Sequence, residues 1–146
     1  MVTHFNLRFA QAVGFLPYSR ENEIGMKVKQ MLEVPRKAYV LFNTELEHDV
    51  YNANLALKAL QHAQTVVVMS SFVSDKMKDY ADVILPITPF TETPGSFINM
   101  EGKLQKFNAV TRPLQEAKPA WKVIRVLANQ LGVEKFEYDN IEDIRN

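Results

Sequence analysis

The stretch AYVLFNTELEHDVYNANLALKALQHAQTVVVMSSFVSDKMKDYADVIL, residues 38–85, decides the fold. It carries three short apolar runs, at 38–42, 65–69 and 81–85, rich in β-branched or large side chains. The first two show no polar alternation, which suits central strands of a parallel sheet buried on both faces. Between them, residues 49–62 set Leu55, Leu57, Ala59 and Leu60 among good helix formers, with Asp49 as the expected N-cap. Strand, helix, strand is a βαβ unit, with a right-handed crossover expected. Residues 74–80 predict a shorter helix, capped by Ser74, that leads into the third run.

Downstream the character changes. Pro86, Pro89 and Pro94 prevent regular helix or central strand, so residues 87–95 are expected to form a long ordered loop. Residues 96–99 and 103–107 follow as two extended pieces around the turn Met100-Glu101-Gly102, a β-hairpin. An amphipathic helix comes next, with Pro119 in its first turn and Gly132 at C′. Trp121, Ile124, Leu127, Ala128 and Leu131 recur at helical spacing, and Trp121 is the expected anchor. The tail ends in a short helical turn within 141–146, and a further helix is expected at 5–13. The whole, residues 1–146, reads as a single α/β domain. Three strands are few for such a sheet, which suggests a segment cut from a longer subunit.

Composition narrows the functional classes. Seventeen basic residues balance seventeen acidic ones, so no net charge attracts nucleic acid or anionic lipid. The absence of cysteine removes disulfides, thiolate metal sites, iron–sulfur ligation and cysteine nucleophiles together. His4, His48 and His62 lack metal-ligand spacing and read as surface or helix-end residues. No apolar run reaches the length of a membrane span, and the start lacks the plan of a secretion signal.

Ligands of open α/β sheets sit beyond the carboxyl ends of the strands. Here those ends are Asn43 to Glu45, Ser70 with Ser71, and the loop 86–93 with its hydroxyls Thr88, Thr91 and Thr93 and the carboxylate Glu92. That loop either lines a crevice or crosses the surface to the hairpin. No phosphate-cradling glycine loop or nucleophile elbow is present. Nothing in the spacing pairs Glu92 with Glu101 as acid and base. Asp82 is expected to cap a turn or face a strand-end crevice, rather than act as a buried functional carboxylate. Lys103, Lys106 and Arg112 read as a solvated hairpin face, with phosphate binding the sharper alternative.

Three blocks go further: ADVILP at 81–86, then Phe90-Thr91-Glu92, then GSFINMEGKLQ at 95–105. Together they resemble the molybdopterin oxidoreductase family, whose members carry ADVVLP, a phenylalanine–glutamate pair and a GSxxNxEGRxQ or GTxxNxEGRxQ block at this spacing. Lys103 stands where the family usually has arginine, which keeps the charge and loses a bidentate grip. The flanks PRKAYVLFN at 35–43, YNAN at 51–54, PFTET at 89–93 and RPLQEAKPAWK at 112–122 look like one branch, the large iron–sulfur subunit of bacterial NADH:quinone oxidoreductase, respiratory complex I.

That resemblance implies a Rossmann-like three-layer α/β fragment with a short parallel sheet, a β-hairpin and a C-terminal amphipathic helix. It implies iron–sulfur clusters elsewhere in the full subunit, and a domain that has lost its metal cofactor and serves as scaffold for electron transfer from NADH to quinone. No catalytic residue, metal ligand or bound cofactor is then expected in this segment. Thr91, Glu92, Gly95, Asn99, Glu101, Gly102 and Lys103 become vestigial pterin-region positions. The implied partners are other peripheral-arm subunits, on the cytoplasmic side of the bacterial inner membrane, without nucleic acid and without direct membrane insertion. Two alternatives stand beside this reading. One is a fragment of an active molybdopterin oxidoreductase of the formate dehydrogenase or nitrate reductase type, and the other is a small-ligand-binding α/β module.

Overall fold

A computed structural model of the chain describes residues 25–99 and 101–145; the helix expected at 5–13 lies outside the described residues. Its elements run α1 Val28–Glu33, β1 Ala38–Phe42, α2 Leu46–Asp49, α3 Ala53–Gln61, β2 Thr65–Ser70, α4 Asp75–Tyr80 and β3 Val83–Pro86. A 3-10 turn Phe90–Glu92 follows, then β4 Gly95–Ile98, β5 Leu104–Phe107, α5 Ala120–Gln130 and α6 Ile141–Arg145. Strands β1, β2 and β3 form one parallel sheet in that order, and β4 pairs antiparallel with β5. The mixed α/β architecture is the one expected from the runs at 38–85 and the turn at 99–103.

The helix expected at 49–62 is shorter, Ala53–Gln61, and a separate short helix, Leu46–Asp49, precedes it. Val50 takes extended backbone (φ −113°, ψ 150°) and ends the short helix. Asp49 is therefore not the cap of the longer helix: its carboxylate accepts from the Glu45 N–H at 2.8 Å. Asn52 takes the capping role, its side-chain oxygen accepting from the Leu55 N–H at 3.0 Å. Ser74 caps α4 as expected, accepting from the Met77 N–H at 3.0 Å.

The core lies on one face of the sheet. Tyr39 and Leu41 of β1 and Val66 and Val68 of β2 meet Leu32 of α1, Leu46 of α2, Ala56, Ala59 and Leu60 of α3, and Met77 and Tyr80 of α4. Leu60, Val66, Val68 and Met77 are fully buried, and each such side chain contributes about 1.5–3 kcal/mol. The Tyr39 hydroxyl ties this layer together, donating to the Met31 carbonyl at 2.7 Å while accepting from the Arg36 N–H.

The opposite face departs from the expectation of two buried faces. Register places Val40, Val67 and Val83 side by side there, yet Val40 is 60% and Val83 44% exposed. The cause is that α1 to α4 all pack on the Tyr39 face. Only toward the carboxyl end does the second face close, at Met69.

Helix α5 ends in a Schellman motif. Gly132 (φ 69°) donates to the Asn129 carbonyl and Val133 to the Ala128 carbonyl. Pro119 occupies its N-cap, and Ala128 is its buried residue, at 7% exposure. Trp121 is partly buried, like Ile124 and Leu127 on the same helix, with the Lys122 ammonium 5.2 Å from its ring centroid.

Candidate functional site

The carboxyl ends of the three parallel strands converge on one edge. Strand β1 runs into Asn43, whose φ of 47° lies in the left-handed region that asparagine tolerates. Its N–H donates to the Met69 carbonyl at 2.7 Å and carries the ladder one residue past the strand. Strand β2 ends at buried Ser70, whose hydroxyl accepts from the Phe72 N–H at 3.2 Å. Beyond β3, the Ile87 N–H donates to the Ser70 carbonyl at 3.1 Å and the Thr88 N–H to the Lys118 carbonyl at 3.0 Å.

Thr88 is the chemically informative residue. It is 5% exposed, and its hydroxyl has no hydrogen-bond partner. A buried polar group left unmade costs about 1–3 kcal/mol, and such groups mark places where a ligand or ordered water belongs.

The loop that carries Thr88 is held from outside by residues 110–118. The Thr91 carbonyl accepts from the Val110 N–H (2.8 Å) and the Thr111 N–H (3.2 Å). The Glu92 carboxylate accepts from the Leu114 N–H at 3.0 Å. Residues 110–118 thus lie along the loop as a strap.

The remaining signature residues serve the hairpin. The Phe107 ring lies over Gly95, where an added Cβ would sit 2.3 Å from Cζ, and it stacks on Phe97 with centroids 5.1 Å apart. The Asn99 side-chain oxygen accepts from the N–H groups of Glu101 (3.0 Å) and Lys103 (2.9 Å). Gly102, at φ 80°, makes the turn. Lys103 pairs with Glu101 at 3.1 Å and Lys106 with Glu142 at 3.5 Å, all well exposed, so both lysines already face carboxylates. Glu92 and Glu101 take separate partners. Asp82 precedes β3 at its amino end and accepts from the Val66 N–H at 2.7 Å: it caps backbone, as expected of it, at the opposite end of the strand from Thr88. His62 is an exposed helix-end residue, its Nδ1 2.8 Å from the Lys58 carbonyl oxygen.

One cluster was not foreseen. Glu47 accepts from the Ser74 hydroxyl at 2.7 Å and the Tyr80 hydroxyl at 3.1 Å, joining α2 to α4. Burial pushes its pKa up, but its own backbone N–H, Ser74, Tyr80 and nearby His48 outweigh that and leave it lowered. Burial first, and then the Glu47 charge, raise the Tyr80 phenol in turn. Partners 27 and 33 residues away leave no local sequence signal. Glu45, Glu47 and His48 bring ligand-type atoms within 4.8 Å of one another, but Glu47 already has both its oxygens bonded. Among the described residues, no helix is long and apolar enough to cross a membrane.

Comparison with known proteins matches residues 5–130 to the molybdopterin oxidoreductase family model. The catalytic subunit of the assimilatory nitrate reductase of Bacillus subtilis is 42% identical over 97 residues, 65% of this chain and 13% of that protein. A Staphylococcus haemolyticus protein assigned as a formate dehydrogenase is 34% identical over 83 residues, 57% of this chain and 8% of that protein. The solved structure of acetylene hydratase from Pelobacter acetylenicus superposes with a TM-score of 0.61 at 28% identity, over 74% of this chain and 16% of that one. The chain thus spans a small fraction of the length of these relatives, none of which is the complex I subunit suggested by its flanks.

Proposed function

Because the chain belongs to the molybdopterin oxidoreductase family, we propose that it is the cofactor-facing part of the large subunit of a molybdenum–pterin oxidoreductase of the formate dehydrogenase or nitrate reductase type. The observation that carries this reading is Thr88, a buried hydroxyl without a partner beyond the carboxyl end of β3, where open α/β sheets take their ligands. A polar group of a bound cofactor would remove the cost of about 1–3 kcal/mol that this hydroxyl carries unpaired. The pterin-bound metal would supply the redox chemistry, and this chain would supply position and shape. Thr88 would exchange a hydrogen bond with the cofactor, and Ser70 would line the crevice beside it. Thr91 and Glu92 would fix the wall from behind. Gly95, Asn99, Glu101, Gly102 and Lys103 would shape the neighbouring hairpin rather than grip the cofactor.

The test is metal analysis and pterin fluorescence on the full-length subunit. Molybdenum and pterin are expected together, with lower occupancy in Thr88→Val. A correctly folded subunit that holds neither overturns the proposal.

A second reading keeps the complex I branch, favoured by the block at 112–122 whose backbone straps the strand-end loop. There the domain carries no molybdenum and acts as scaffold against other peripheral-arm subunits on the cytoplasmic side of the membrane. Iron–sulfur clusters would lie elsewhere in the full subunit. Iron without molybdenum in the intact protein, with NADH-dependent quinone reduction by its complex, is the result that selects it.

A further inference from the structure

We propose that Glu92 is the positioning residue of the strand-end crevice: through its carboxylate it sets the register of the strap 110–118, and through the strap it holds the Thr88 loop. Three tethers join strap to loop. The Thr91 carbonyl takes two N–H groups at one end, and the Lys118 carbonyl takes the Thr88 N–H at the other. Between them the Glu92 carboxylate takes the Leu114 N–H. Main-chain tethers impose no residue identity, since any amino acid presents the same groups. Of the three, the Glu92 contact alone acts through a side chain, so it alone ties register to sequence.

The strap has little else to hold it there. Leu114 is 70% and Val110 87% exposed, so the middle of the strap buries almost no apolar surface. A slip at Leu114 is therefore carried along the backbone to Lys118, whose carbonyl holds the Thr88 amide. Thr88 has no side-chain hydrogen bond of its own to resist it. Glu92 touches no cofactor in this scheme. It acts on the Thr88 hydroxyl from behind, and its value to the cofactor rests on the function proposed above.

Hydrogen–deuterium exchange on the 146-residue chain tests the tether without any cofactor. Glu92→Ala is expected to speed exchange about ten-fold in both 87–92 and 110–118, the scale of one lost hydrogen bond to a charged group. Glu92→Gln keeps a side-chain oxygen in reach of Leu114 and is expected to restore protection to within about two-fold. Exchange that rises in 110–118 while 87–92 stays at the wild-type rate overturns the proposal. So does a Glu92→Gln chain as unprotected as Glu92→Ala, with circular dichroism showing both folded. In the full-length subunit, Glu92→Ala should lower molybdenum occupancy no further once Thr88→Val is present. A wild-type subunit without molybdenum removes the proposed function and leaves the exchange result to decide the tether.

Discussion

Gly95→Ala is the sharpest probe of what the family signature does in this chain. An added Cβ would lie 2.3 Å from Phe107 Cζ and 2.6 Å from Cε1, about 1 Å inside the 3.4 Å at which ordinary contact begins. The ring must swing away, and it then loses its stack on Phe97, where the centroids are 5.1 Å apart and the planes 15° from parallel. Forcing atoms into such a contact costs about 1–3 kcal/mol, and an aromatic pair is worth about 0.5–1.5 kcal/mol, so a loss of about 1.5–4.5 kcal/mol is expected in hairpin stability. The backbone at Gly95 lies outside the left-handed region, so alanine meets no conformational barrier. In a Phe107→Ala background the same substitution should therefore stabilise, by about 0.4–1 kcal/mol, through the lower entropy of the unfolded chain. The assay is a double-mutant cycle read by exchange of the β4 and β5 amides. An equal cost in both backgrounds refutes the steric account and returns Gly95 to a role outside the hairpin.

Asn99→Ala removes the acceptor of two backbone N–H groups and should cost the hairpin about 1–2 kcal/mol, with Asn99→Asp restoring most of it, as measured by the same exchange. Gly102→Ala meets no steric neighbour and should cost about 1 kcal/mol from its positive φ alone, read as a fall in melting temperature. Glu47 has a lowered carboxyl pKa, so its contribution is complete above its ordinary value of 4.5 and is lost as pH falls through the lower folded value. Ser74→Ala and Tyr80→Phe should each weaken that acid limb of a pH–stability profile, whereas a profile unchanged by both removes the network from acid stability. Met77→Ala, at a fully buried position, should cost about 2–5 kcal/mol in urea denaturation.

The parallel sheet was legible because unbroken runs such as TVVVM at 65–69 have few other uses in a soluble chain. The hairpin and the α5 boundaries followed from Gly102, Pro119 and Gly132, residues whose backbone restrictions act locally. The true start of α3 was not legible, because Asp49 and Asn52 are both competent N-caps and no proline or glycine lies between them to choose. Side-chain contacts across long stretches were equally hidden: Glu92 with Leu114 spans 22 residues and Ser74 with Glu47 spans 27. The signature block at 95–105 pointed correctly to the family, yet most of its residues meet one another in this structure. Thr88 lies outside that block. Its position just past an apolar strand was a visible cue; its lack of a partner was not.

The open face of the sheet has a practical side. Among the described residues, strand β1 stands at one end of the strand order, with Val40 and Phe42 exposed beside its outer row of backbone groups. An apolar edge of that kind is a template on which another chain can add a strand. A lysine at position 40 would oppose self-association without touching the Tyr39 side of the sheet, where the folding energy resides.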